Sequence, residues 1–423
     1  MKIGIIGLGY VGLTLALALS SRGVRVHGVE KNSVIRRCLE MGKAHFEETG
    51  IHQLVATETA SGRFTFSEMF DGECYDACII SVGTPIDENR EVVIAGLVEA
   101  LQAIPKNRHP NFTVILRSTV AAGTTNSLVR SLLEKQKVVN FAFCPERTIE
   151  GLALTELFSL PQIISGSSTE ALEMASTVFN KLGVEIVRAS SVECAELAKL
   201  YNNCYRDITF AIGNYFNLYA QCFGVNGIEV LDIAGRNYPR GKIPRPGFVG
   251  GPCLSKDSYI LGHSGYKKTN IEKIEAFNFF KLGRSFNEML VDLVADRLVS
   301  RFGNRAILVS GVAFKGTPET SDLRDAPSIA LVKRLRHSGI SVYVHDYVAY
   351  REELSREFEC EIVDSFNDSR FQVLVIMNNH RLYSTIELGE LERFEAVVDL
   401  GSAYPMSART YFKNMLTLGD LFL

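Results

Sequence analysis

Lys2-Ile3-Gly4-Ile5-Ile6-Gly7-Leu8-Gly9-Tyr10-Val11-Gly12 opens the chain, and a helix-like run from Leu13 to Ser21 follows it. An apolar strand, a glycine turn and a helix in that order predict the first βα unit of an open parallel sheet. The first glycine of the turn, Gly7, permits the tight reversal. Gly9 lets backbone amides approach a pyrophosphate, and Gly12 lets the helix pack closely on the strand, with Tyr10 and Val11 at its positive end. A second apolar run, Val24 to Val29, ends on Glu30. An acid there accepts hydrogen bonds from the adenosine ribose hydroxyls and repels a 2′-phosphate, so the cofactor expected is NAD rather than NADP. Lys31 weakens that preference without reversing it.

Further strands are expected at Tyr75 to Val82, Thr113 to Arg117, Val139 to Phe143, Gln162 to Ser165 and Val184 to Val187, with helical stretches between them. Their C-terminal ends carry Thr84 and Thr119, the places where an open parallel sheet meets its ligands. From Ser191 to Phe223 the pattern becomes one long helix with no proline and a single glycine, Gly213. A helix of that length links domains or packs against a partner subunit. A Pro, Gly and Arg-rich loop, Arg236 to Gly251, and a helical stretch, Ile274 to Ser300, come next. Alternation then resumes with Arg305 to Val312, Ala326 to Ser338, Ser341 to His345, Val373 to Met377 and Ala396 to Leu400. The fold class is α/β, with two Rossmann-like parallel-sheet domains joined by a long central helix and a helical middle domain. The expected boundaries are 1–190 for the NAD-binding domain, 191–300 for the central domain and 301–423 for the last.

A chain of 423 residues with 46% hydrophobic and 22% charged residues has ample material for large cores. The net charge of -3 gives no electrostatic case for nucleic acid or a membrane surface. Met1 runs straight into a strand and no apolar stretch approaches the ~20 residues that span a bilayer, so a cytoplasmic enzyme is expected. Nine cysteines, odd in number and without paired spacing, fit free thiols in a reducing compartment. The eight histidines fall in none of the motifs, so neither a metal site nor a histidine acid is expected.

Pro246-Gly247-Phe248-Val249-Gly250-Gly251-Pro252-Cys253-Leu254-Ser255-Lys256-Asp257 sets a thiol among glycines with a cation close behind. That setting suits a thiolate nucleophile, whereas most cysteines are small core hydrophobes. Lys199 and Asn203 lie four apart on the long helix, so a cation and an amide leave one face and could stabilise an oxyanion. The plainer reading of Lys199 is a helical ion pair with Glu196.

Ser118-Thr119-Val120 with Gly123-Thr124-Thr125, Cys144 to Gly151, the Glu196, Lys199, Asn203 set and the Cys253 loop follow the glycine turn in order. With the later Gly311 to Lys315 and Ser321 to Arg324, this ordered set resembles the UDP-glucose/GDP-mannose dehydrogenase family over essentially the whole chain. The resemblance implies an NAD-dependent, four-electron oxidation of a nucleotide sugar at C6 to the uronic acid, through a thiohemiacetal and a thioester on Cys253. It implies catalytic roles for Lys199, Asn203 and Asp257, for Glu146 and Glu150 as carboxylates that organise or activate water, and for Thr119 in placing water or the hydroxyl. It implies cofactor contacts from Thr84, Thr119, Glu150, Lys256 and Arg324 beside the glycine turn, Glu30 and Lys31. The nucleotide sugar is expected against Glu146, Arg147, Lys199, Asn203, Gly250, Phe314 and Lys315, with at least one of Arg236, Arg240 and Arg245 meeting the diphosphate by charge matching. A surface ion pair to Asp322 or Asp325 is the plainer reading of Arg324.

Arg147 directly after Glu146 follows the branches that act on N-acetylhexosamine nucleotides, while Glu150, Gly151 and Lys256-Asp257 look like the glucose or mannose branch. UDP-glucose or another UDP-hexose is the first expectation for the substrate. UDP-N-acetylhexosamines such as UDP-ManNAc, and GDP-mannose, are the alternatives, and a homodimer or larger homo-oligomer is expected. A two-electron hydroxyacid dehydrogenase and a non-catalytic NAD-binding assembly protein are the competing readings.

Overall fold

The computed structural model describes residues 1–269, 278–366, 368–405, 407, 408, 412 and 414–423. The chain forms two compact units, Met1–Asn202 with Tyr259–Glu272, and Asn203–Ser258 with Lys273–Leu423.

The first unit is built on a sheet of β1 (Lys2–Ile6), β2 (Arg25–Val29), β3 (Phe64–Ser67), β4 (Tyr75–Ile80), β5 (Arg108–Leu116), β6 (Asn140–Phe143), β7 (Gln162–Gly166) and β8 (Ile186–Arg188). Its spatial order is β3-β2-β1-β4-β5-β6-β7-β8. The order reverses between β1 and β4, which is the switch point at which such sheets leave a crevice. Every residue of β1 is buried because helices cover both faces, which explains its unbroken apolar run. The helix Tyr10–Ser21 is buried from Gly12 to Ser20 and packs into the same core as Ile3, Ile5 and Val26.

One pair departs from the all-parallel expectation: β7 runs antiparallel to β6, with Ala142 opposite Gly166. A parallel partner needs a long crossover, usually a helix. The connection here carries only the five-residue helix Ala153–Leu157 and brings the chain back down from the edge it had just reached.

The second unit holds β9 (Ile307–Ser310), β10 (Val342–His345), β11 (Glu361–Ile362), β12 (Val373–Ile376), β13 (Ala396–Asp399) and β14 (Met415–Thr417), ordered β11-β10-β9-β12-β13-β14. All its pairs are parallel, the Rossmann pattern again. The helix Phe279–Phe302 supplies Leu290, Val294 and Leu298 to its core, opposite Leu331 and Leu335. The expected beginning of that helix at Ile274 lies outside the described residues. The long helix runs Val192–Gln221 without a break. Among the described residues, no helix is long and apolar enough to cross a membrane and no cluster of His, Cys, Asp and Glu could hold a metal ion.

Candidate functional site

At the switch point of the first unit, Gly7 has φ +90°, and a Cβ there would lie 2.6 Å from the Ser81 carbonyl oxygen. A Cβ on Gly12 would meet the Gly7 oxygen at 1.8 Å, so neither position accepts a side chain. Gly9 is different, with nothing within 4 Å of its added Cβ: it faces open space, where a pyrophosphate fits. Glu30 Oε2 accepts from Leu8 N at 2.7 Å and Oε1 from Asn32 N at 2.9 Å, so the acid is fixed to the turn it serves. Lys31 is drawn away to Glu99. An apolar cleft of about 830 Å³ opens beside them, lined by Gly7, Glu30, Met69, Phe70, Gly83 and Ala100 among others, and suits an adenosine moiety. These residues fit NAD. The Tyr10 hydroxyl, however, is committed to Glu48 and accepts from Gly151 N at 2.8 Å, which leaves its backbone at the helix start to face the cofactor.

Two loops beyond the strands are tied down. Ser118 Oγ donates to Val82 O at 2.7 Å, and Thr84 Oγ1 to Thr119 O at 2.5 Å, which joins the turns after β4 and β5. Glu196, wholly buried, accepts from Gly123 N at 2.6 Å and Thr125 N at 3.0 Å. The surface pair with Lys199 is thus replaced by a clamp on the loop that carries Thr119. Buried Lys199 lies one turn further along the same helix.

Glu146 differs from a free base. Arg117 Nε reaches its Oε2 at 3.1 Å, while Arg147 N and Thr148 N both donate to Oε1 at 2.6 Å. Burial opposes its charge, but Arg117, the Thr148 N–H and Lys199 outweigh that and hold the carboxyl below its ordinary range. A carboxylate engaged at both oxygens is poor at taking a proton from water, and this arrangement braces the loop between Cys144 and Gly151. Arg147 itself donates to the Pro161 carbonyl. Half-buried Glu150 faces Tyr10 closely enough to disfavour ionisation of the phenol, which burial and Glu48 already push up.

In the second unit Cys253 is exposed at the start of the helix Leu254–Thr269, and its carbonyl accepts from Asp257 N at 3.1 Å. The positive end of a helix favours a thiolate. Other thiols have the opposite setting, for burial pushes Cys144 and Cys204 up to about 12 and Cys360 up to about 11. Asn203 Nδ2 donates to Asp257 Oδ2 at 2.6 Å, and Lys256 Nζ lies 3.5 Å from Asp257 Oδ1. Asn203, Asp257 and Cys253 thus belong to one assembly.

That loop also meets the turn after β9. Gly251 has φ +89°, and a Cβ there would strike the Phe314 ring at 2.7 Å; one on Gly250 would strike Asp325 O at 2.5 Å. Lys315 Nζ sits 5.4 Å from the Phe314 ring centroid. Arg324 makes the Asp322 pair that its plainer reading expected, at 2.9 Å from Nε. Arg245 is held by Asp232 at 2.9 Å and Arg240 lies over Tyr238, while Arg236 is exposed.

Glycines at a switch point, an acid at the end of β2 and a thiol presented on a helix start define an NAD-dependent dehydrogenase. Three models of the UDP-glucose/GDP-mannose dehydrogenase family match the chain: the NAD binding domain over residues 1–183, the central domain over 193–288 and the UDP binding domain over 308–404. The chain belongs to this family, and is an NAD-dependent nucleotide-sugar dehydrogenase. It is 28% identical over 417 residues to a UDP-N-acetyl-D-mannosamine dehydrogenase of Pyrococcus horikoshii, covering 94% of this chain and 95% of that one. It is 30% identical over 357 residues to the enzyme of the same name from Campylobacter jejuni, covering 80% and 84%. A solved UDP-D-ManNAc dehydrogenase from Pyrococcus horikoshii superposes with a TM-score of 0.85 at 25% identity, covering 100% of both chains.

Proposed function

We propose that this protein oxidises C6 of a UDP-N-acetylhexosamine, UDP-N-acetyl-D-mannosamine first among them, to the uronic acid. This replaces UDP-glucose as the leading substrate: the relatives named above carry that activity, and Arg147 directly after Glu146 agrees with it. The proposed functional segments are 1–190 for NAD, 191–300 for the thiol and 301–423 for the nucleotide sugar.

The observation that carries the mechanism is the exposed Cys253 sulfur on a helix start, with the Asn203–Asp257 pair in the same assembly. When bound, NAD accepts the hydride of each of two successive oxidations. After the alcohol has become an aldehyde, the Cys253 thiolate adds to C6 and the carbonyl oxygen gains a proton, giving a thiohemiacetal. Loss of that proton and of the C6 hydride leaves a thioester. Water cleaves its C–S bond, which returns the thiol and releases the carboxylate. Lys199 and Asn203 stabilise the oxyanions, Asp257 holds Asn203, and Thr119 and Glu150 place the hydroxyl and the water. Glu146 keeps its loop and Arg147 in position.

A second copy of the chain is proposed to cover the exposed Tyr205, Tyr215, Phe216 and Tyr219 of the central helix and Phe223 in the turn just after it. The experiment is a screen of UDP-ManNAc, UDP-glucose and GDP-mannose with NAD, counting NADH per sugar. Two NADH on UDP-ManNAc, and none with Cys253→Ser beyond the aldehyde stage, are expected. One NADH per sugar from the native enzyme would sink the four-electron mechanism.

A further inference from the structure

Beneath the Cys253 loop lies a closed circuit of buried polar groups that no step above uses. Asp207 on the central helix and Arg284 on the helix Phe279–Phe302 are paired at 3.0 Å with side chains 1% and 2% exposed. Asn287, one turn beyond Arg284, donates to both Asp207 Oδ1 and Asp207 O, at 3.0 and 3.1 Å. Its Oδ1 accepts from Asn214 Nδ2 at 2.9 Å.

The circuit ends on the loop at two points. Arg284 Nη2 donates to Val249 O at 2.9 Å. Asn214 pairs with Gly247 in both directions, donating to its carbonyl at 3.0 Å and accepting its N–H at 2.8 Å. Downstream of the thiol, Ser258 Oγ donates to Asp207 Oδ2 at 2.9 Å. Cys253 therefore sits between Val249 and Ser258, each tied to the same ion pair.

A buried ion pair is a weak source of stability, since apolar residues of the same volume do as well or better. Its particular property is direction: every bond in the circuit fixes an angle as well as a distance. A nucleophile needs its target at ~3–3.5 Å, and a displacement of ~1 Å can cost ~100-fold in rate. We infer that Asp207 and Arg284, with Asn214, Asn287 and Ser258, are positioning residues that set the Cys253 sulfur for addition to the C6 aldehyde. Their effect falls on the second oxidation and spares the first, in which the thiol takes no part. The inference rests on the thiohemiacetal mechanism proposed above.

The test uses the full-length enzyme with Asp207→Asn and, as the milder change that removes only a hydroxyl, Ser258→Ala. Cys253→Ser is run beside them. Folding is monitored by thermal melting and by NAD binding. Two readouts follow: NADH formed per UDP-sugar consumed, with hydroxylamine present to trap free aldehyde, and the rate of Cys253 alkylation by iodoacetamide, read from the peptide's mass.

Folded Asp207→Asn is expected to fall from two NADH per sugar towards one, to release trapped aldehyde and to alkylate at least fivefold more slowly. Ser258→Ala should shift the same quantities by about twofold, with the first oxidation kept within twofold of native. If Cys253→Ser lowers the ratio but folded Ser258→Ala leaves ratio and alkylation native, the positioning role is overturned. It is overturned as well if the variants lose both oxidations in equal proportion. If Cys253→Ser itself keeps a ratio of two, the thiol mechanism fails instead, and the alkylation rates still decide whether the circuit sets the sulfur.

Discussion

Glu196→Ala should detach the Thr119 loop from the central helix, and the size of the effect can be worked from two bonds. The Glu196 carboxylate accepts from Gly123 N and Thr125 N at 2.6 and 3.0 Å, and it is completely shielded from water. Hydrogen bonds to a charged group contribute roughly 1.5–3 kcal/mol each, and donors left buried without a partner lose that amount in full. Alanine should then cost about 3–6 kcal/mol. Glutamine keeps one acceptor oxygen but turns its own N–H groups on the second backbone donor, so it should cost about half as much, roughly 1.5–3 kcal/mol. For a domain near 200 residues each kcal/mol shifts the melting midpoint by about 2–4 °C, which gives a drop on the order of 10 °C for alanine. The assay is thermal unfolding followed by circular dichroism with and without NAD, beside the rate of the first hydride transfer. Alanine and glutamine variants that melt within ~2 °C of native would refute the clamp, because a loss of under about 1 kcal/mol leaves no room for two buried charged bonds.

Gly12→Ala places a methyl 1.8 Å from the Gly7 oxygen, so NAD binding by fluorescence titration should be lost while the second unit keeps its affinity for UDP. Arg117→Met strands the buried Glu146 charge and should cost about 3–5 kcal/mol of denaturant stability, whereas adding Glu146→Gln should recover at least half of it. Burial raises the Asp399 carboxyl to about 6, against four backbone N–H groups that lower it. A folded value above the unfolded one means that its stabilising contribution is complete below the ordinary carboxylate range. That contribution is lost as pH rises through about 6, by roughly 3 kcal/mol at neutrality. Carbon-detected titration of a labelled Asp399 should place its midpoint well above 5; a midpoint below 4 contradicts the burial argument.

The glycine turn, Glu30 and the strand and helix alternation were readable because each follows from local spacing: period, turn chemistry and an acid at a strand end. The four-residue strand β3 and the two- and three-residue strands β11 and β14 were not, since their pairing partners far along the chain define them. The antiparallel β7 was missed for the same reason: its residues suit either direction, and the connection decides. At the site, Cys253, Lys199, Asn203 and Asp257 stood out by residue type. Arg117, Glu48, Asp207 and Arg284 did not: the helix that carries Arg284 also holds Lys281, Glu288, Asp292, Asp296, Arg297 and Arg301, so nothing in its local pattern marks Arg284 as the buried one. Glu196 stood out as well, but its partners did not: the helical pair with Lys199, three residues away, was only the plainer alternative, and backbone amides some seventy residues away leave no mark in local spacing.

The reversed strand β7 has a bearing on how substrate preference can change. Because the chain turns back at the end of β6, everything from Cys144 to Pro161 stays on the rim where strand ends meet ligands, and none of it is used to traverse a sheet face. Residues added or exchanged in this stretch leave the ladder of β6 and β7 untouched. A lineage could reshape that rim to admit a different sugar while the scaffold beneath remains the same.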